Sequence, residues 1–163
     1  MMYWSATTII IGVVLNCNIA YASSTNERVV QRLIHRMPLC ERYVDEVQVH
    51  MNFPQYYYGA YTHTTRLTEI RADVDDLLYT VAHECGHAVD YGTSMKRRLY
   101  FGRGGFVSEY ASESAEEDFA ETYAHYLFNR RTLVRASRKD RMIKAKYLTV
   151  RELITTFDRK GRK

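Results

Sequence analysis

The first 22 residues contain no Asp, Glu, Lys or Arg. An apolar run from Thr8 to Leu15 fills their middle, and Ala20-Tyr21-Ala22 closes them, which is the pattern of a secretory signal peptide cut after Ala22. The usual Lys or Arg near the start is missing. The run is too short to span a bilayer and is interrupted by Gly12 and Asn16, so a retained anchor fits less well. Asn16 ahead of Cys17 also suits a lipoprotein signal poorly. We therefore expect a secreted protein, extracellular or periplasmic, with residues 1–22 as signal peptide and no stable membrane anchor. Residues 23–163 suffice for one compact domain with one core and are too few for two. Tandem repeats and low-complexity tracts are absent.

Cysteine is scarce, with three in 163 residues. Cys40 and Cys85 remain after the cut and are able to pair in an exported chain. Cys85, however, stands beside a candidate catalytic base, where a bridge is expected to constrain the site, so the expectation is a small buried thiol. The only prolines are Pro38 and Pro54, and Pro38 is placed to end a first helix. Acidic residues are thin at the end of the chain: Arg130 to Lys163 holds 13 Lys plus Arg against 3 Asp plus Glu, while the rest is net acidic. Aromatic stacking positions are not interleaved with those cations. A solvated helical surface is therefore expected, and no nucleic-acid partner.

What the chain does have is Tyr79 to Tyr91, Y-T-V-A-H-E-C-G-H-A-V-D-Y, which contains H-E-x-x-H. On a helix His83 and His87 leave one face a turn apart and are able to hold one cation. Glu84 beside them is placed to act as general base toward a metal-bound water. Leu77, Leu78, Val81, Ala82 and Val89 supply an apolar face at helical spacing. Asp75 and Asp76 suit the first turn, and Gly92 is placed to end the helix. A chance match on an ordinary amphipathic helix is the competing reading, and this context weighs against it.

Around this segment the pattern predicts an α+β fold, a small twisted sheet on the metal helix with a helical C-terminal part. Ser24-x-x-Glu27 reads as a capping box opening a first helix, with Val29, Val30, Leu33, Ile34 and Met37 on one face. Val47, Val49, Met51 and Phe53 alternate as a half-buried strand. The tyrosines from Tyr56 to Tyr61 and the Thr-rich run to Ile70 predict one or two more strands, whose exposed tyrosines are placed to line a cleft. Gly92 to Val107, with Lys96, Arg97, Arg98, Gly102, Gly104 and Gly105, reads as a flexible basic loop over the site. Ser112 to Asn129 predicts a second long helix. Ser137 to about Tyr147 predicts another, and Thr149-x-x-Glu152 opens a last one.

A catalytic zinc site uses three protein ligands, so one is missing. The second long helix offers Glu113, Glu116, Glu117, Asp118 and Glu121, and spacing alone leaves the choice open. Glu117 and Glu121 share a face, so one is able to ligate while the other holds a ligand histidine. Glu117-x-x-Ala120-Glu121 is similar to the signature of the gluzincin metallopeptidases, which supports Glu117.

H-E-C-G-H-A-V-D, then Tyr110, then Glu117-Asp118-Phe119-Ala120-Glu121, resembles the catalytic domain of anthrax lethal factor and its secreted relatives, the Pro-Pro endopeptidases, over roughly Tyr56 to Phe128. In that family a tyrosine seven residues before the glutamate ligand assists the reaction. The resemblance implies a zincin-like fold, Zn2+ held by His83, His87 and Glu117, Glu84 as base, Tyr110 as the assisting tyrosine, Glu121 behind the ligands, and a protein or peptide substrate. The competing class is a secreted binding protein, or a toxin or effector, that keeps the zincin scaffold with little or no activity. Tyr110 as a plain core residue, Asp90 as a structural hydrogen-bond partner and His125 in a surface role are the bland readings of those positions.

Overall fold

The computed structural model describes residues 26–51, 57–93 and 99–160. The signal-peptide reading, Ser24 of the first capping box, Phe53 and Lys96 to Arg98 lie outside them.

The first helix, α1, covers 26–35. It turns Val30 and Ile34 into the core, whereas Val29, expected on the same face, is 36% exposed. A one-turn helix, α2 (Pro38–Glu41), follows directly and starts on Pro38, whose fixed φ suits a first helical position. Three short strands come next: β1 (Glu46–His50), β2 (Gly59–Thr62) and β3 (Leu67–Arg71). They form a mixed sheet in the order β1-β3-β2, with β1 parallel and β2 antiparallel to β3. The alternation starting at Val47 does give a strand, but Met51 lies past its end and is exposed. Because β3 takes the centre, β2 is an edge strand whose outer side has no strand partner among the described residues.

The metal helix, α3 (Leu77–Gly92), starts one residue after Asp76, whose carboxylate caps it by accepting from Tyr79 N at 3.0 Å. Gly92 is its last residue. The helix tucks Val81, Ala82, Cys85 and Val89 into the core, while Leu78 is exposed. Cys85 is not a thiol: it is bonded to Cys40 on α2. Successive helical residues turn by about 100°, so Cys85 leaves α3 on the side away from both histidines. Sequence adjacency to Glu84 therefore does not make it a neighbour of the site.

A 3-10 turn (Tyr110–Ser112) leads into α4 (Ala115–Phe128). This helix begins three residues later than expected, because Ser114 caps it, its Oγ accepting from Glu117 N at 3.0 Å. Glu113 is thus outside the helix. The C-terminal part also differs from expectation. A separate helix, α5 (Arg130–Ser137), precedes one continuous helix, α6 (Arg141–Lys160). The break falls where Asp140 Oδ1 accepts from Met142 N and Ile143 N at 2.7 and 3.0 Å. Thr149 opens nothing, since its hydroxyl donates to Ala145 O one turn back at 3.0 Å. Among the described residues no helix is long and apolar enough to cross a membrane.

Candidate metal centre

The centre lies between α3 and α4, and its position follows from how closely those helices approach. A Cβ placed on Gly86 meets Ala120 Cα at 2.5 Å, so contact at this point requires a glycine on one helix and a small residue on the other. The helices run antiparallel there, and each carries a stripe at i, i+4 spacing. Tyr79, His83 and His87 face Glu117, Glu121 and His125.

His83 Nε2 lies 3.0 Å and His87 Nε2 3.4 Å from Glu117 Oε2, and the two Nε2 atoms are 3.2 Å apart. A tetrahedral zinc with bonds of about 2.0–2.1 Å would separate its ligand atoms by roughly 3.3–3.4 Å. The three edges thus fit one face of such a tetrahedron. Glu117 Oε2 is buried, and although both imidazole nitrogens are close to it, neither contact has good hydrogen-bond alignment. With the two imidazoles neutral, the three atoms would turn lone pairs to one point, an arrangement suited to a cation. Among the described residues, His83, His87 and Glu117 are the ones that bring ligand atoms together in this way, all within 4.8 Å of one another. Glu113, Glu116 and Asp118 do not join it.

Glu121 stands behind His83. Its Oε1 accepts from His83 Nδ1 at 2.8 Å, which leaves Nε2 of the neutral ring as the free donor atom. Its Oε2 accepts from Tyr79 OH at 3.0 Å and from Ser108 Oγ. His125 Nδ1 lies 2.8 Å from Tyr79 OH and 3.1 Å from the backbone carbonyl of Glu121. A carbonyl only accepts, so Nδ1 carries the hydrogen and donates. His125 is therefore part of this hydrogen-bonded layer and not merely a surface residue. Burial alone raises the Glu121 carboxyl, but the bonds from His83, Ser108 and Tyr79 outweigh it and hold the group below its ordinary range. Burial likewise opposes the charge on Glu117, yet the two histidines hold that carboxyl down at about 2. Burial pulls the His83 imidazolium down, and the Glu117 and Glu121 carboxylates overcome it and hold it up at about 10.

Glu84 is buried, and its carboxyl is pushed above the usual range by that burial, against the pull of His83 and His87. Its seat is shaped by the edge strand: a Cβ on Gly59 falls 2.7 Å from Glu84 Oε1. Tyr110 is 51% exposed, which removes the core reading, and its ring centroid is 5.7 Å from that of His83. Partial burial and then the surrounding carboxylates, Glu117 first, push its phenol up to about 12, so it keeps its hydrogen at neutral pH. Asp90 is buried and is not among the residues lining the cleft.

A cleft runs across this centre along β2. On one side it is lined by Tyr58, Tyr79 and Thr80, on the other by Tyr61, Tyr91 and Glu116, with Tyr57, Gly59, His83, Glu84 and Tyr110 common to both. Sequence reasoning missed Tyr79, Ser108 and Gly59. Tyr79 carries a readable signal, four residues before His83 on the same face. Ser108 comes from a loop, where no periodicity marks it.

Comparison with curated proteins and with solved structures yields no match. Residues 18–155 match the Peptidase_Mx1 family, described as "putative zinc-binding metallo-peptidase". That match spans most of the chain and takes in both helices of the centre, and the residues it brings together fit zinc, so the chain belongs to this zinc-binding metallopeptidase family.

Proposed function

We propose that the protein is an exported zinc-dependent endopeptidase, with His83, His87 and Glu117 as ligands, Glu84 as general base and Tyr110 as a hydrogen-bond donor to the reacting carbonyl. The observation that carries this reading is a protonated phenol and a buried carboxylate on the cleft side of one three-ligand group. Zinc held there supplies a Lewis acid that polarises a carbonyl and lowers the pKa of water. Glu84 takes the proton from the attacking water and passes it to the leaving amine, a task suited to a carboxyl whose pKa is raised by burial. Tyr110 donates to the oxygen on which negative charge develops. Glu121 orients His83 and keeps its Nε2 toward the ligand group.

The cleft extends to both sides of the ligands, as cleavage inside a chain requires. The open side of β2 offers backbone groups to which an extended peptide can add as a further strand. The likeness to lethal factor and the Pro-Pro endopeptidases supports the assignment of Tyr110 through its spacing from Glu117. The charge-poor first 22 residues and the Cys40–Cys85 disulfide both support export to an oxidising compartment.

The test is a mixture of peptides of varied sequence and length incubated with the zinc-loaded chain and with Glu84→Gln loaded equally. Internal cleavage is expected from the first, with turnover reduced about 10²–10⁴-fold in the second. A folded, zinc-loaded chain that cuts no peptide, or a Glu84→Gln variant that cuts as fast as the parent, overturns the proposal.

A further inference from the structure

Lys146 on α6 is fully buried, and so is Asp118 on α4, the residue after the ligand Glu117. Their charged groups are 2.6 Å apart. The ammonium also donates to Gly104 O at 2.7 Å and Gly105 O at 2.9 Å, so its three hydrogens have three acceptors. The Phe106 ring centroid lies 4.7 Å from it. Asp118 Oδ2 in turn accepts from Gly102 N at 2.8 Å.

Burying two charges is costly, and a well-packed apolar pair would join α4 to α6 at least as well. What an apolar pair would lack is a grip on backbone. One ion pair here holds a loop at three points, and all three are glycines with positive φ of 74°, 86° and 61°, a region that other residues enter only with strain. The described part of the basic loop, expected to be flexible, is thus fastened to α4 and α6, with Phe101 buried beneath it. The same loop continues to Ser108, which donates to Glu121 and accepts from Ala111 N at 3.1 Å, and then to Tyr110.

We propose that the Lys146–Asp118 pair is a clamp through which the C-terminal helix sets the position of the segment carrying Ser108 and Tyr110 against the metal centre. Lys146 is a positioning residue for the Tyr110 phenol, although no described side chain of α6 lines the cleft. The inference rests on the catalytic reading of Tyr110 only for its effect on turnover; the clamp itself has a separate readout.

The experiment uses the full chain loaded with zinc and the paired substitution Lys146→Met with Asp118→Asn. That pair removes both charges and keeps an acceptor for Gly102 N–H. Zinc content is expected to stay unchanged. Amide exchange in peptides covering 99–112 is expected to quicken about tenfold or more while α3 keeps its protection. The kcat is expected to fall about ten- to a hundredfold with KM little changed, and to fall no further when the pair is combined with Tyr110→Phe. Equal acceleration of exchange in α3 and in 99–112 overturns the clamp and leaves the pair as a general fold element, and so does a full additional loss of kcat in the Tyr110→Phe background where Tyr110→Phe itself lowers kcat.

Gly104→Ala gives an independent variant if the pair does not fold. A Cβ there meets nothing within 4 Å, so it strains only the loop backbone, and the same selective exchange is expected at smaller size. Unchanged exchange at 99–112 in whichever variant folds overturns the proposal. If Tyr110→Phe alone keeps full turnover, the catalytic reading of Tyr110 fails, and the exchange result still decides the clamp.

Discussion

Glu84 sits where an ionised carboxylate is least favoured, buried beneath the edge strand and pressed against Gly59. Its raised pKa means that the folded state binds its proton more tightly than the unfolded chain does. The stability it contributes is therefore present below the unfolded value and is lost as pH rises through the folded one. In the metal-free protein near neutral pH, Glu84→Gln should raise the Tm, and the gain should vanish in acid where both side chains are neutral. A Gln variant that melts at or below the parent temperature at neutral pH counts against a strained carboxylate. Tyr110 makes the opposite case. Half-exposed and outside the core, it should give up little stability on Tyr110→Phe, while kcat and kcat/KM fall together by about 10²–10³. Wild-type kcat in that variant removes the phenol from the reaction. At this scale His83 and His87 were legible because their spacing alone puts both imidazoles on one face. The division of labour between Glu117 and Glu121 was not, because both share a face of α4. Which of them meets Nε2 and which meets Nδ1 is set by the tilt of the His83 ring between two helices.

Among the elements, α3 was legible as a helix ending at Gly92, but Asp75 and Asp76, read as part of its first turn, lie before it, with Asp76 as the cap. The start of α4 was misplaced although Ser114-x-x-Glu117 has the form of a capping box. The Glu117 amide makes its half of that box, but the side chain turns to the histidines, so the motif is completed only on the backbone side. The closeness of α3 and α4 gives a prediction in which two effects oppose. Alanine is favoured over glycine inside a helix by about 1 kcal/mol, yet Gly86→Ala places a methyl 2.5 Å from Ala120 Cα. Backbone cannot yield as a flexible side chain can, so the clash should win. We expect lower zinc affinity, measured by chelator competition, and a lower Tm; a stabilised variant with unchanged zinc affinity argues that the helices are farther apart. The disulfide joins α2 to the back of α3 over a sequence separation of 45 residues. Cys40→Ala with Cys85→Ala should therefore cost about 4 kcal/mol by chain entropy, read from denaturant midpoints, without altering the ligand set.

For the whole molecule, the fold class followed from one apolar helix face, a few alternating strands and chain length. The three-way arrangement of β2, α3 and α4 did not follow, because Gly59, Gly86 and Ala120 are ordinary small residues until their partners are known. The same holds for Lys146, which lies in a basic stretch read as solvated and is the one described cation of that stretch with no exposure. Zinc binding ties these parts into one pH-dependent property. In the metal-free protein His83 is held up at about 10 from an ordinary value of 6.5. Its contribution to stability is complete below the ordinary value and is lost as pH rises through the folded one. Glu117, held down at about 2 from 4.5, contributes above the ordinary carboxylate range and loses that contribution only as pH falls toward 2, so it stays constant near neutrality. A zinc ion takes the place of the His83 Nε2 proton, so binding releases a proton and strengthens as pH rises. Ligand binding raises stability by mass action, about 2.7 kcal/mol at a free concentration of 100 Kd. From about pH 6 to about pH 8.5 the metal-free Tm should therefore decline, while the separation between zinc-loaded and metal-free Tm widens. Scanning calorimetry of both forms at fixed free zinc measures this directly. A separation independent of pH would mean that zinc displaces no proton from His83, and the ligand set would have to be drawn without it.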